Sequence, residues 1–295
     1  MEKKYLAYGL LILATLSWSA NFIVGKFSTL FLIPPLSLNF FRWLIVWFIL
    51  LPFFIVPVIK QFHIIKANFG LLFLMGITST GLFNSLVYTA LNYTQVVNAV
   101  LMISVIPIVV AIFSSMLGVE QSSRFHYYGL VLSLLGVGTI IFKGSLDLLL
   151  QLNFNQGDLW MVAAVIAWAI YSTLLKKKKL PFTQFELIFI LTTIGTVFLI
   201  PQFLYEHVNG YKTNFNLAFY LIVTFIVIFP ALLAYYCWQK AIEIIGPNRA
   251  SIFLHLMPIF GAIMALIIFN EQFVAFHYIG TVFIVSGIYI SNRKA

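Results

Sequence analysis

The sequence predicts an all-α integral membrane protein, with ten transmembrane helices in two inverted five-helix repeats around a central cavity. Three observations carry that expectation. Of 295 residues, 62% are hydrophobic and only 8% charged, and the mean hydropathy is +1.03. A soluble domain has about 25% charged residues, so too few charges exist here to cover a water-facing surface. Apolar runs of about 20 residues, the length that spans a bilayer, follow one another almost end to end. Finally, the phrase EQSSRFHYYG, Glu120 to Gly129, returns as EQFVAFHYIG, Glu271 to Gly280.

The spans fall at about 5–25, 37–58, 69–91, 95–117, 126–142, 158–175, 183–204, 216–239, 248–269 and 274–291. The first follows a charged start, but no A-x-A site follows it and it is long enough to span, so it is read as a helix and not a cleaved signal. Pro34-Pro35 announces the second. Lys60 to Asn68 separates the second and third, and Glu120 to Arg124 the fourth and fifth. Lys176 to Pro181 divides the sixth from the seventh, and Gly246-Pro247-Asn248 opens the ninth. No stretch is left over for a soluble domain.

The net charge of +9 does not point to nucleic acid, because the basic residues sit between apolar runs and form no polar stripe. Orientation accounts for it. With the N-terminus inside, the inner segments hold Lys3, Lys4, Lys60, Lys66, Arg124, Lys176 to Lys179, Lys240, Arg249, Arg293 and Lys294, against Lys26, Lys143 and Lys212 outside. That bias, about four to one, places both termini in the cytoplasm of a plasma (inner) membrane protein. The single cysteine, Cys237, excludes an internal disulfide.

The repeat extends beyond its opening phrase. At an offset of 151, 12 of the 30 positions from Pro107 to Gly136 agree with Pro258 to Gly287. Trp18 and Lys26 match Trp168 and Lys176 at an offset of 150. The chain therefore reads as two copies, 1–143 and 152–295. Five spans is an odd number, so the second copy enters the membrane from the opposite side. Inverted repeats are the architecture of secondary transporters, in which two related halves exchange packings and a midplane site opens alternately to each side. Duplication for a stable bundle alone is the competing account.

Several segments, in this order, resemble the drug/metabolite transporter superfamily, in its EamA-type branch with ten helices: Trp18 to Phe22, Ile33 to Trp43 (IPPLSLNFFRW), Tyr88 to Thr94 (YTALNYT), the paired Pro-to-Glu-Gln segments, and Tyr235 to Ser251 (YYCWQKAIEIIGPNRAS). The resemblance covers the whole chain. It implies movement of a small organic solute, an amino acid or related metabolite, usually outward. A nucleotide-sugar or lipid-linked sugar carrier is the alternative, and a non-transporting sensor or scaffold a further one.

Polar groups inside a bilayer are expensive, which singles out those that remain. Asn21 can bond a substrate or a neighbouring helix. Trp18, with Trp168 and Tyr171 in the second copy, can wall a cavity or pack between helices. Asn84 and Tyr88 in span three correspond to Tyr235 and Gln239 in span eight at an offset of 151, which suits a shared midplane cavity; an interfacial aromatic belt is the other reading. Asn98 is a further candidate lining residue. Arg42, at the place of an arginine in the family pattern, can meet a substrate carboxylate, snorkel to headgroups or hold a structural salt bridge. His255 can line the cavity, bind a proton, or bridge helices as a neutral imidazole. Pro107 and Pro258 sit at matched depth as hinges or static kinks. Glu120 and Glu271 are expected to cap the helix ends of their own hairpins.

No G-x-x-x-x-G-K loop, H-E-x-x-H or Cys–His cluster occurs. No carboxylate falls deep in a span to pair with His255, so no catalytic set, metal site or cofactor is expected. The expected partners are a small-molecule substrate and the lipid bilayer, with the oligomeric state open.

Overall fold

The computed structural model describes residues 2–145, 147, 155–269 and 274–293, and every described element is helical. Helix α1 is Glu2–Leu30 and α2 is Pro35–Lys60; after the short helix Phe62–Ala67 come α3 (Phe69–Ala90), α4 (Asn98–Met116) and α5 (Arg124–Ile141). Then follow α6 (Gln156–Lys177), α7 (Gln184–Val208) and α8 (Leu217–Ile245). These eight are long and apolar enough to cross a membrane. Helix α9 covers residues 247–269, as Pro247–Ser251, a 3₁₀ stretch Ile252–Leu256 and Met257–Phe269, and α10 is Ala275–Ser291.

The ends are set by local chemistry. Pro35 begins α2, where a missing N–H is harmless. Asn155 with Asp158, and Thr183 with Glu186, form reciprocal capping boxes on α6 and α7. Ser123 and Asn216 accept amides at the starts of α5 and α8. Gly246, at φ 85°, turns α8 directly into Pro247 of α9. The helix interiors are irregular at matched places. Ile77–Phe83 of α3 and Val227–Leu233 of α8 are π-helical. Pro107 and Pro258 each stand at the second residue of a fresh α-helical stretch, so the break falls just before the proline and not at it.

Burial is inside-out relative to a water-soluble protein. Leu32, Phe53 and Val208 are exposed, whereas Asn21, Asn39, Arg42, Thr80 and Asn84 are buried. Many buried polar groups find partners inside the bundle, though Arg42 Nε and Nη2 and Trp168 Nε1 do not, and the apolar surface faces outward, as a bilayer requires.

Helix pairing is reciprocal. Helix α1 packs on α8 and α9, and α6 packs on α3 and α4. Helix α2 runs antiparallel to α7: Phe40 stacks on Phe203 at 4.7 Å, Trp47 bonds Thr193 at 3.0 Å, and Gln61 bonds Glu186 at 3.1 Å. Helices α5 and α10 cross antiparallel through glycines, Gly129 against Gly287 and Gly136 against Gly280. A Cβ on Gly136 would lie 2.6 Å from the Gly280 carbonyl oxygen, and one on Gly287 2.6 Å from that of Gly129, so only glycine permits this approach.

Candidate functional site

Where α1, α2, α3, α6 and α8 meet, the bundle holds a buried polar chain. Arg42 on α2 is wholly buried; its Nη1 donates to Asn84 Oδ1 at 3.0 Å and Tyr88 Oη at 3.0 Å, both on α3. Tyr88 Oη donates in turn to Asn21 Oδ1 on α1 at 3.1 Å. One helical turn before Arg42, Asn39 donates to Ser85 Oγ at 2.9 Å, pinning α2 to the same face of α3. Sequence reading missed Asn39, although its spacing from Arg42 puts both on one side of α2.

A second set mirrors the first. Gln239 Nε2 on α8 donates to Tyr171 Oη on α6 at 3.0 Å. By the repeat, Gln239 corresponds to Tyr88 and Tyr171 to Asn21, so this bond is the counterpart of Tyr88–Asn21. Arg42 has no such counterpart: the equivalent position is Thr192. Between the two sets lies an aromatic cluster. Trp18 meets Trp168 edge-on at 5.1 Å and Trp238 at 5.3 Å, and Tyr235 lies 4.8 Å from Trp43. Trp18 Nε1 donates to Pro230 O at 3.0 Å, a carbonyl within the π-helical stretch of α8. Tyr235 donates to Ser79 O at 3.3 Å, within that of α3. The π-helical turns thus offer carbonyls sideways to the cluster, a use common to such segments at functional sites.

The space among these groups is small. A void of about 20 Å³, lined by Trp18, Asn21, Phe83, Asn84, Trp168 and Met257 among others, has room for about one water. A larger hollow of about 570 Å³ opens at the lysine-rich end, between Lys178, Lys179, Gln184, Lys240 and Glu243, and Gln239 is in its wall. At the opposite end, between Gly25, Ser28, Tyr88 and Asn92, only about 10 Å³ remains. That end is tied by Glu206, which accepts from the Leu36 and Ser37 amides at 2.9 and 2.7 Å, and by Thr94 bonded to Asp158 at 2.9 Å.

Several expectations need correction. Arg42 does not snorkel and makes no salt bridge; the one ion pair among the described residues is Lys240–Glu243 at the surface. Tyr235 and Tyr88 are no interfacial belt: α8 runs on to Ile245, and both rings are buried. His255 lines neither the small void nor the hollow. It is wholly buried in the 3₁₀ stretch of α9, where Nε2 lies 2.9 Å from Ser104 O and Nδ1 lies 2.6 Å from Ser133 Oγ. A carbonyl only accepts, so Nε2 carries a proton, while Nδ1 meets the Ser133 hydroxyl, which also reaches Leu130 O at 3.1 Å; the ring joins α9 to α4 and α5. Asn98 is half-buried and away from both spaces.

Glu120 caps, but not its own hairpin. Its carboxylate accepts the Asn248 amide at 3.2 Å at the start of α9, in the other half of the chain. Burial pushes its carboxyl above the ordinary 4.5, against the Asn248 bond and the charges of Arg249 and Lys176. Its counterpart Glu271 lies outside the described residues.

Comparison with known proteins agrees with this picture. An uncharacterized transporter of Archaeoglobus fulgidus is 28% identical over 289 residues, 97% of this chain and 96% of that one. The uncharacterized transporter YyaM of Bacillus subtilis is 25% identical over 214 residues, 72% of this chain and 70% of its own. A crystal structure superposes with a TM-score of 0.71 over 99% of this chain and 96% of its own, at 14% identity, a likeness of fold alone. The pattern of the EamA-like transporter family matches residues 5–142 and again residues 155–293. A multi-pass helical membrane protein with this double match is a membrane transporter, and the chain belongs to the EamA-like transporter family.

Proposed function

We propose that the protein is a secondary transporter that moves a small organic metabolite, an amino acid or related compound, outward across the plasma membrane by alternating access. In this reading ten helices form two inverted repeats, 1–143 and 152–295, and both termini are cytoplasmic.

One observation carries most of the weight. Trp18 packs edge-on against Trp168, its own counterpart in the second copy. A residue touches its own mate only near a twofold axis. His255 bonded to the carbonyl of its counterpart Ser104 supports the same axis. So does the glycine crossing: Gly129 corresponds to Gly280 and Gly136 to Gly287, and the contacts pair each with the other's mate. Equivalent helices that cross antiparallel on a twofold axis suit inverted halves. The two ends differ as one phase of a cycle would: a wide hollow at the lysine-rich end, a tied closure at the Glu206 end. Exchange of packings between the halves would reverse that difference. A nucleotide-sugar is disfavoured, because two phosphates would meet a single buried guanidinium.

The test uses single cysteines at Gln239 and Ser28 with Cys237→Ser as background. A membrane-impermeant thiol reagent should label the Gln239 site from the cytoplasmic side and the Ser28 site from outside. A solute taken up into proteoliposomes should change the two rates in opposite directions. Rates that rise and fall together, in a protein that moves solute, would exclude alternation.

A further inference from the structure

We propose that the substrate is a net organic anion, a carboxylate on a flat apolar body, with Arg42 as its counter-ion; this rests on the transport reading and, of its two substrate options, takes the related compound that lacks the ammonium over the neutral amino acid. Arg42 is wholly buried, yet only its Nη1 is hydrogen-bonded, both of that atom's partners are neutral, and the guanidinium's other contact is the Trp43 ring at 5.1 Å. Its Nε and Nη2 have no hydrogen-bond partner. A guanidinium is always charged and presents a planar fork that matches a carboxylate. Retaining such a charge deep in a bundle without an opposing one is strongly unfavourable.

No carboxylate of the described chain is placed to answer it. The other buried charged side chains, Asp158, Glu186 and Glu206, lie in the first or last turns of α6 and α7, and each is bonded there. Arg42 does not itself line the small void but meets it through Asn84, which does; in that wall Asn84 Nδ2 and Trp168 Nε1 are buried without hydrogen-bond partners, and one turn from Arg42 the spare atom is an acceptor, Asn39 Oδ1. Spare nitrogens on Arg42, Asn84 and Trp168 outnumber the spare acceptor on Asn39, and with the positive charge behind Asn84 they call for an acceptor-rich anion. The same void, closed here to about one water, is walled by Trp18, Phe83 and Trp168, planar surfaces that would suit a flat apolar body once the cycle opens it. No acidic side chain lines it, so an ammonium would enter without a paired charge and close to Arg42. That is why the charge pattern favours an anion over a zwitterion. The second copy carries Thr192 where the first has Arg42, so the anion would be held off-axis, towards α2 and α3.

The experiment compares three molecules on one carbon skeleton: 3-phenylpropanoate (anion), phenylalanine (zwitterion) and phenethylamine (cation). The full-length protein in nanodiscs is titrated at neutral pH, with intrinsic tryptophan fluorescence as readout, since Trp18 and Trp168 wall the site. The anion should bind on the order of tenfold more tightly than the zwitterion, and the cation should not bind. Asn84→Asp supplies an internal carboxylate to Arg42. It should reduce anion binding about a hundredfold or more, with an unfolding temperature equal to or above the parent's, a result a purely structural Arg42 would not produce. Equal or tighter binding of phenylalanine or phenethylamine overturns the proposal, as does parent-like anion binding in Asn84→Asp, or no response to any of the three. Counterflow in proteoliposomes separates the two claims. An anion that binds but never exchanges refutes transport and leaves the anion site; exchange of phenylalanine or phenethylamine in preference to the anion refutes the anion site and leaves transport.

Discussion

At the scale of single residues, the interior is defined by which polar atoms are answered and which are not. His255 has both ring nitrogens engaged by uncharged groups. A second proton on that ring would be a buried charge with no carboxylate beside it among the described residues. His255→Gln should therefore leave any dependence of uphill flux on the pH gradient as in the parent. It should destabilise the protein by about 1–3 kcal/mol, because Gln cannot meet Ser104 and Ser133 at the same two angles. Flux assays with and without a pH gradient, alongside thermal unfolding, check both parts. Trp238 makes a comparable contact, donating to Ser172 Oγ at 3.3 Å. Trp18 and Trp238 are thus fixed by bonds as well as packing, whereas Trp168 is held by packing alone.

At the scale of elements, close approach and corner capping decide stability. Helices α5 and α10 touch backbone to backbone at Gly129, Gly136, Gly280 and Gly287. Gly136→Leu would drive a side chain into the Gly280 carbonyl and the backbone of Ile284. The expected loss is about 3 kcal/mol or more, the upper range for overpacking, seen as a lowered unfolding temperature in detergent. Gly138, on the same helix, would meet nothing nearer than 3.8 Å, so Gly138→Ala should be nearly silent. Glu120 ties the α4–α5 turn to the start of α9. Its folded-state carboxyl is raised above 4.5 by burial, so the folded protein holds that proton more tightly than the unfolded chain. The stability it contributes is full below that value and is lost as pH rises through the folded pKa. Glu120→Gln keeps an acceptor for the Asn248 amide and removes the titration. Its unfolding temperature should fall less than the parent's as pH is raised from about 4.5 to neutrality; parallel curves would exclude the linkage.

At the scale of the whole molecule, the polarity of burial and the pairing of helices set what the protein can do. The tied end and the hollow end differ, although the two halves repeat in sequence. Two halves built alike need not be packed alike, and that inequality is what a transport cycle would exchange. The orientation belongs to this scale too. A reporter active only outside the cytoplasm, fused after Ala295, should be silent in intact cells. Strong activity would place the C-terminus outside and overturn the lysine-based orientation.

The helical membrane fold and the family were legible in the sequence, because bilayer solvation imposes a length and composition on each apolar run. Pairs of equivalent residues were legible as well, from the offset alone: Trp18 with Trp168, Tyr88 with Gln239, Gly129 with Gly280. What each pair touches was not. Spacing along one chain does not say whether Arg42 turns towards headgroups or inward, because both faces of α2 are apolar and only the neighbours α3 and α7 distinguish them. Nor does it show that Glu120 reaches across to α9, or that His255 leaves the cavity to bridge Ser104 and Ser133. The π-helical turns that present Ser79 and Pro230 carbonyls carry no sequence signature of their own. Those features arise from side chains distant in sequence competing for the same buried donors and acceptors, and that competition is decided only when the helices pack.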